Sequence, residues 1–156
     1  MQTFKNMLFP IDFSESSEKV FPEALDMAKK FDARLHLLFV ARNISYLTAL
    51  SASQDLLMNT VAEVARAGED HMVAFCDKEL SDFSNHQTKV VIGNPAEEIL
   101  KYADEQPIDL IIMGTHGRKG IDRILMGSVA DHVVKHAGVP VLTVNPFRAK
   151  VKHVRT

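Results

Sequence analysis

One stretch stands out for the chemistry its residue types and spacing permit. Gly114-Thr115-His116-Gly117 is followed by nine residues and then by Gly127-Ser128. Glycines let a backbone approach an anion closely and adopt positive φ, so that successive N–H groups can converge on the same oxygens. A helix opening at Ser128 adds free N–H donors and the positive end of its dipole. Ser128 itself can cap that helix or offer its hydroxyl to a phosphate. Arg118, Lys119 and Arg123 raise the local positive charge. The pattern is not a P-loop, because no Gly-Lys-Ser/Thr closes it, and Gly114, Gly117 and Gly120 lack the dinucleotide-fingerprint spacing. A plainer reading stays open beside the phosphate cradle: glycines shaping a surface turn, with an ordinary helix start after it.

Other candidates carry paired readings. Asp12 ends the first apolar run, where it could hold ribose hydroxyls or a Mg2+, or simply precede Ser14 at a helix start. His116 reads either as a phosphate contact or as a solvated loop histidine. His132 and His136 have the i, i+4 spacing of metal ligands, but with no third ligand in view they read as surface residues, and no metal site is assigned. Cys76 lies beside Phe75 in a helical stripe and reads as a small core residue.

Short apolar runs alternating with helical patterns must position these groups. Met7-Leu8-Phe9-Pro10-Ile11 is too continuous for a half-exposed strand and suits one buried on both faces. Residues 14–17 offer N-caps for a helix bearing Val20, Phe21, Ala24, Leu25, Ala28 and Phe31. Pro22 inside it predicts a kink, or a regular part starting near Phe21. A second strand is predicted over 34–40 and a long helix over 54–80. That helix's stripe of Leu57, Val61, Val64, Gly68, Met72 and Phe75 puts a glycine on the packed side. A third strand covers 88–92. Asn94, Pro95 and Glu97 then specify a helix start as cap, N1 proline and N3 carboxylate. The fourth strand covers 110–113, the last helix runs from Ser128 to a stop at Gly138, and the fifth strand covers 141–144.

Five strands alternating with four helices predict a three-layer, doubly wound α/β domain with a parallel sheet and helices on both faces. Ligands in such folds sit at the carboxyl ends of the strands flanking the reversal of winding. Two strand ends carry unusual residues: Pro10-Ile11-Asp12 after the first, and Met113-Gly114-Thr115-His116-Gly117 after the fourth.

The chain of 156 residues is one domain's worth, with 46% hydrophobic and 24% charged residues, which excludes disorder and a disulfide scaffold. No apolar run exceeds those at 37–41 and 72–76, so no membrane association is expected. A single cysteine, and no basic segment leading into a long apolar one, fit a cytoplasmic protein. The net charge of −2 argues against nucleic-acid binding. Arg148, Lys150, Lys152 and Arg155 are the exception, a basic tail without an acid.

Taken together, the glycine motif, Phe9-Pro10-Ile11-Asp12-Phe13-Ser14-Glu15, and Val139-Pro140-Val141-Leu142-Thr143-Val144 after His136 resemble the universal stress protein family. The resemblance runs from about Phe4 to Val144. It implies strand order 3-2-1-4-5, a domain over 1–146 with a tail over 147–156, and, since the motif is whole, the ATP-binding branch. It further implies that Pro10 and Asp12 border the adenosine, that the Val40 backbone meets the adenine edge, and that Met113 and Gly114 lie on the ribose. His116 and Gly117 would line the approach to phosphates held by Gly127, Ser128, Val129 and Ala130. Ala130 departs from relatives that have a hydroxyl there, leaving only a backbone donor.

The expected function is a stress-response regulator that binds ATP, with Mg2+ accompanying the phosphates. It would be dimeric through Val141, Leu142 and Val144 of a last strand too apolar to stay uncovered. The alternatives are a slow ATPase or adenylyl-transferring enzyme, and a dimeric scaffold that uses no nucleotide. No catalytic residue is assigned, since no general base is evident beyond His116. A receiver domain is rejected because Ile92-Gly93-Asn94 supplies no acceptor aspartate at the third strand's end.

Overall fold

The computed structural model describes residues 3–42, 53–116 and 126–147. In chain order the elements are β1 (Asn6–Ile11), α1 (Glu15–Phe31), β2 (Arg34–Arg42), α2 (Gln54–Glu79), β3 (His86–Gly93), α3 (Pro95–Glu105), β4 (Leu110–Gly114), α4 (Ser128–His136) and β5 (Val141–Val144). All strand pairs are parallel and the order is β3-β2-β1-β4-β5, as the alternation and the family resemblance imply.

Strand alternation sorts the core onto two faces. Met7, Phe9 and Ile11 of β1 join Leu35, Leu37 and Phe39 of β2 beneath Val20, Phe21 and Ala24 of α1 and Met72 and Phe75 of α2. On the opposite face Leu8, Leu38, Ile111 and Met113 pack against Ile99, Tyr102 and Ala103 of α3 and Ala130 and Val133 of α4. At Gly68 helix α2 approaches the sheet tightly: a Cβ there would stand 2.8 Å from Phe39 Cε1 and 3.1 Å from Val90 Cγ1.

Capping follows the sequence at α1 and α3. Ser14 Oγ accepts from the Ser17 N–H, and Asn94 Oδ1 accepts from the N–H groups of Ala96 and Glu97. Two expectations need correction. Helix α1 runs continuously from Glu15 past Pro22 rather than beginning near Phe21. Pro22 and Glu18 are both exposed, so the bond the proline forgoes lies on the solvent side. The last helix is capped by Gly127, with no side-chain cap bond, so Ser128 is its first helical residue rather than its cap.

Pro10 shapes the sheet. The Lys5 carbonyl accepts from Arg34 on the β2 side, and the Asn6 carbonyl accepts from Asp109 on the β4 side. Alternation therefore turns residues 6, 8 and 10 toward β4, and it is there that Pro10 has no N–H to give. The β1–β4 ladder joins Met7 to Leu110 and Leu8 to Ile111 and ends, although the strands run on to Ile11 and Gly114. The β1–β2 ladder continues through Pro10 and Ile11.

Candidate functional site

The gap beyond that short ladder lies between the carboxyl ends of β1 and β4, where the winding reverses. Pro10, Asp12, Met113, Gly114 and His116 all stand at these two ends. Val40 is one residue beyond Phe39, the β2 partner of Ile11.

The β1 end turns abruptly into α1. Phe13 takes a left-handed conformation with φ 56°, unusual for a bulky residue. Its ring lies tilted at 4.9 Å from Phe39 and meets Phe75 at 6.1 Å, packing that compensates the backbone strain. Asp12 braces the turn: its Oδ1 accepts from the Ser14 N–H at 2.9 Å and from Ser14 Oγ at 2.5 Å, while its own N–H donates to Ser17 Oγ at 3.3 Å. The helix-start role therefore holds for one carboxylate oxygen.

At the β4 end, Gly114 has no positive φ, nor has any other described glycine, so conformational freedom is not its contribution here. Space is. A Cβ at Gly114 would lie 3.3 Å from both the His116 carbonyl and Val20 Cγ2. Thr115 then donates its N–H to the Val144 carbonyl at 2.9 Å, and its own carbonyl accepts from the Gly127 N–H at 2.7 Å. The chain leaves β4 and returns to α4 at a single tied neck. Gly117 and the cations Arg118, Lys119 and Arg123 lie outside the described residues, as does the chain after Phe147.

Helix α4 starts from that neck. Its first backbone bond runs from Asp131 N–H to the Gly127 carbonyl, so the N–H groups of Ser128, Val129 and Ala130 have no partner within the helix. Ser128 is exposed and Ala130 is 2% exposed. The Ala130 methyl faces the core, which leaves only its backbone for a ligand. Met113 is likewise buried in the α3/α4 core.

His116 is not a solvated loop residue. It is 8% exposed, its Nδ1 lies 2.7 Å from Thr115 Oγ1, and the Phe147 ring stands edge-on to it at 5.4 Å. Lys19 Nζ lies 5.7 Å from the centroid of the same Phe147 ring and pairs with Glu15 at 2.7 Å. Phe147, assigned to the tail from sequence, thus packs on the site. The only sequence signal for this was an aromatic residue at the head of the basic tail.

Sequence reasoning also passed over His36, a single histidine inside the apolar run of β2. It is buried, with Nδ1 3.0 Å from Tyr102 Oη and Nε2 3.2 Å from Asn6 Oδ1. Burial, with the nearby Arg34 charge, holds its pKa below the ordinary imidazole range, against an opposing pull from Asp109. Its register partner Leu8 puts it at the amino half of the sheet, away from the crevice. His132 and His136 stack at 4.2 Å on exposed α4, and no group of three metal-ligating side chains occurs among the described residues. No described helix is long and apolar enough to cross a membrane.

A doubly wound parallel sheet with its reversal at β1 and β4, and a helix amino terminus at the resulting crevice, defines a class of fold that takes ligands at this position. The profile of the universal stress protein family matches residues 3–145, and the chain belongs to that family. Universal stress protein MJ0531 of Methanocaldococcus jannaschii is 32% identical over 142 residues, covering 90% of this chain and 82% of the relative. The solved structure of MJ0577 from the same organism shares 30% identity at a TM-score of 0.78, covering 95% of this chain and all of that one (100%). UspA from Lactobacillus plantarum superposes with a TM-score of 0.77 at 27% identity, over 93% of this chain and 100% of that one. Two more distant structures share the fold: a universal stress protein in complex with cAMP (21% identity, TM-score 0.60) and one from Arabidopsis thaliana with AMP bound (19%, 0.56). They cover 93% and 90% of this chain, and 99% and 91% of their own.

Proposed function

We propose that this chain is an ATP-binding regulatory protein of the stress response, acting as a homodimer whose partner contacts change with nucleotide state. The observation that carries the reading is the neck between Thr115 and Gly127. It sets the N–H groups of Ser128, Val129 and Ala130, which have no partner within the helix, beside the glycine-flanked end of β4. The adenine nucleotides held by two family members support it. In this reading Pro10 and Asp12 border the adenosine, the Val40 backbone takes the adenine edge, and Met113 and Gly114 lie along the ribose. His116, Gly117 and Gly127 flank the phosphates, and Mg2+ enters as the nucleotide's own counterion. The sheet edge at β5 is the proposed dimer contact, with Leu142 38% exposed beside Val141 and Val144.

The test begins with nucleotide released from freshly purified, denatured protein, followed by calorimetric titration of emptied protein with ATP, ADP and AMP in Mg2+. Recovery of ATP near one equivalent per chain, or saturable ATP binding that Gly117→Val abolishes without changing the circular dichroism spectrum, is expected. Absence of both bound and titratable nucleotide would overturn the reading.

A further inference from the structure

The chain beyond β5 does not simply leave the domain. The Phe147 N–H donates to Asn145 Oδ1 at 2.9 Å, closing a tight turn that brings the Phe147 ring back onto His116. The contact is edge-to-face, 73° between planes, and the Lys19 ammonium of α1 approaches the same ring. One aromatic side chain thus joins three parts of the molecule: the residue two beyond Gly114, the first turns of α1, and the C-terminal turn. The His116 side chain is 8% exposed where this ring meets it.

We propose that Phe147 is a positioning residue of the nucleotide site, holding His116 against the end of β4 so that nucleotide binding and packing of the C-terminal turn favour one another. The inference rests on the ATP-binding reading above. Its physical basis is reciprocity: if the seated ring favours the ligand, the ligand favours the seated ring by the same factor. Edge-to-face aromatic pairs give a scale of about 0.5–1.5 kcal/mol, equivalent to a change in affinity of roughly 2- to 12-fold.

The experiment compares wild type, Phe147→Ala and Phe147→Tyr, each first shown to melt cooperatively. Diethylpyrocarbonate modification of His116 is followed by mass spectrometry in nucleotide-free protein, and ATP affinity is measured by calorimetry. In Phe147→Ala, His116 should be modified several-fold faster and ATP should bind about 2- to 12-fold more weakly. Tyrosine should restore both, and saturating ATP should slow modification in wild type. Unchanged protection of His116 in Phe147→Ala would overturn the packing role. Faster modification with unchanged ATP affinity would overturn the positioning role. Wild-type protein that binds no nucleotide would overturn the ATP reading and the service to it, while the protection measurement would still decide whether Phe147 holds His116.

Discussion

The Gly127 N–H donates to the Thr115 carbonyl at 2.7 Å, so two residues twelve apart in sequence are joined at one neck. The same Thr115 is tied through its N–H to Val144 of β5. The start of α4 is therefore tied to the sheet by backbone hydrogen bonds as well as by the packing of Ala130. Because backbone holds the neck, donors can be removed from the first turn of α4 singly.

Ser128→Pro makes that removal. Proline is well suited to the first helical position, and Gly127, at φ −60° and ψ 151°, already has the extended backbone that a following proline requires. The substitution deletes one N–H and the hydroxyl, and breaks no helical bond. Thermal stability should stay close to wild type while ATP affinity falls by about 10- to 150-fold, the scale of a hydrogen bond to a charged group. Ser128→Ala, which removes only the hydroxyl, should lose less. Calorimetric titration of the two variants separates backbone from side-chain donation. Equal losses would assign the donation to the hydroxyl.

Gly68→Ala tests the tight approach of α2 to the sheet. Helix propensity alone favours alanine by about 1 kcal/mol. The new methyl, however, would meet the Phe39 ring at 2.8 and 2.9 Å, and that ring is itself enclosed by Phe13. Overpacking should win, with a net loss of about 1–3 kcal/mol in urea unfolding. A variant more stable than wild type would mean that the ring has room to withdraw.

His36 predicts a dependence of stability on pH. Its pKa in the folded state is lowered by burial and by Arg34, whereas the unfolded chain protonates near the ordinary value of about 6.5. Below that value the unfolded state binds more protons, so this contribution to stability is complete above about pH 6.5 and falls as the pH falls toward the folded pKa. The slope from one histidine is at most about 1.4 kcal/mol per pH unit. His36→Gln should be less stable than wild type at pH 7.5, and the difference should narrow by pH 5.5 in urea titrations. A difference that stays constant would exclude protonation of His36 on unfolding.

The parts of this molecule governed by local sequence were readable in advance. Asn94-Pro95 starts α3 where expected, because a cap and an N1 proline act within one turn. The continuous apolar runs of β1 and β4 placed both strands inside a covered sheet. Long-range partners were not readable. Tyr102 lies 66 residues from His36, and neither residue's neighbours announce the bond between them. Phe147 is similar: its composition reads as tail, and only the turn at Asn145 aims it at His116. The left-handed Phe13 gives no local signal at all, since packing on Phe39 and Phe75 maintains a conformation that its own side chain disfavours.

Pro10 has a mechanical meaning as well. On one side of it β1, β2 and β3 are bonded along their lengths; on the other, β4 and β5 form a second bonded plate. Between them only the amino-terminal ends are welded, through Met7 with Leu110 and Leu8 with Ile111. The backbone ladder between the plates is thus absent at the crevice, and opening read by amide exchange there is expected to separate plates rather than peel strands. A ligand lodged between the free ends would act as a pin, slowing amide exchange across both plates at once.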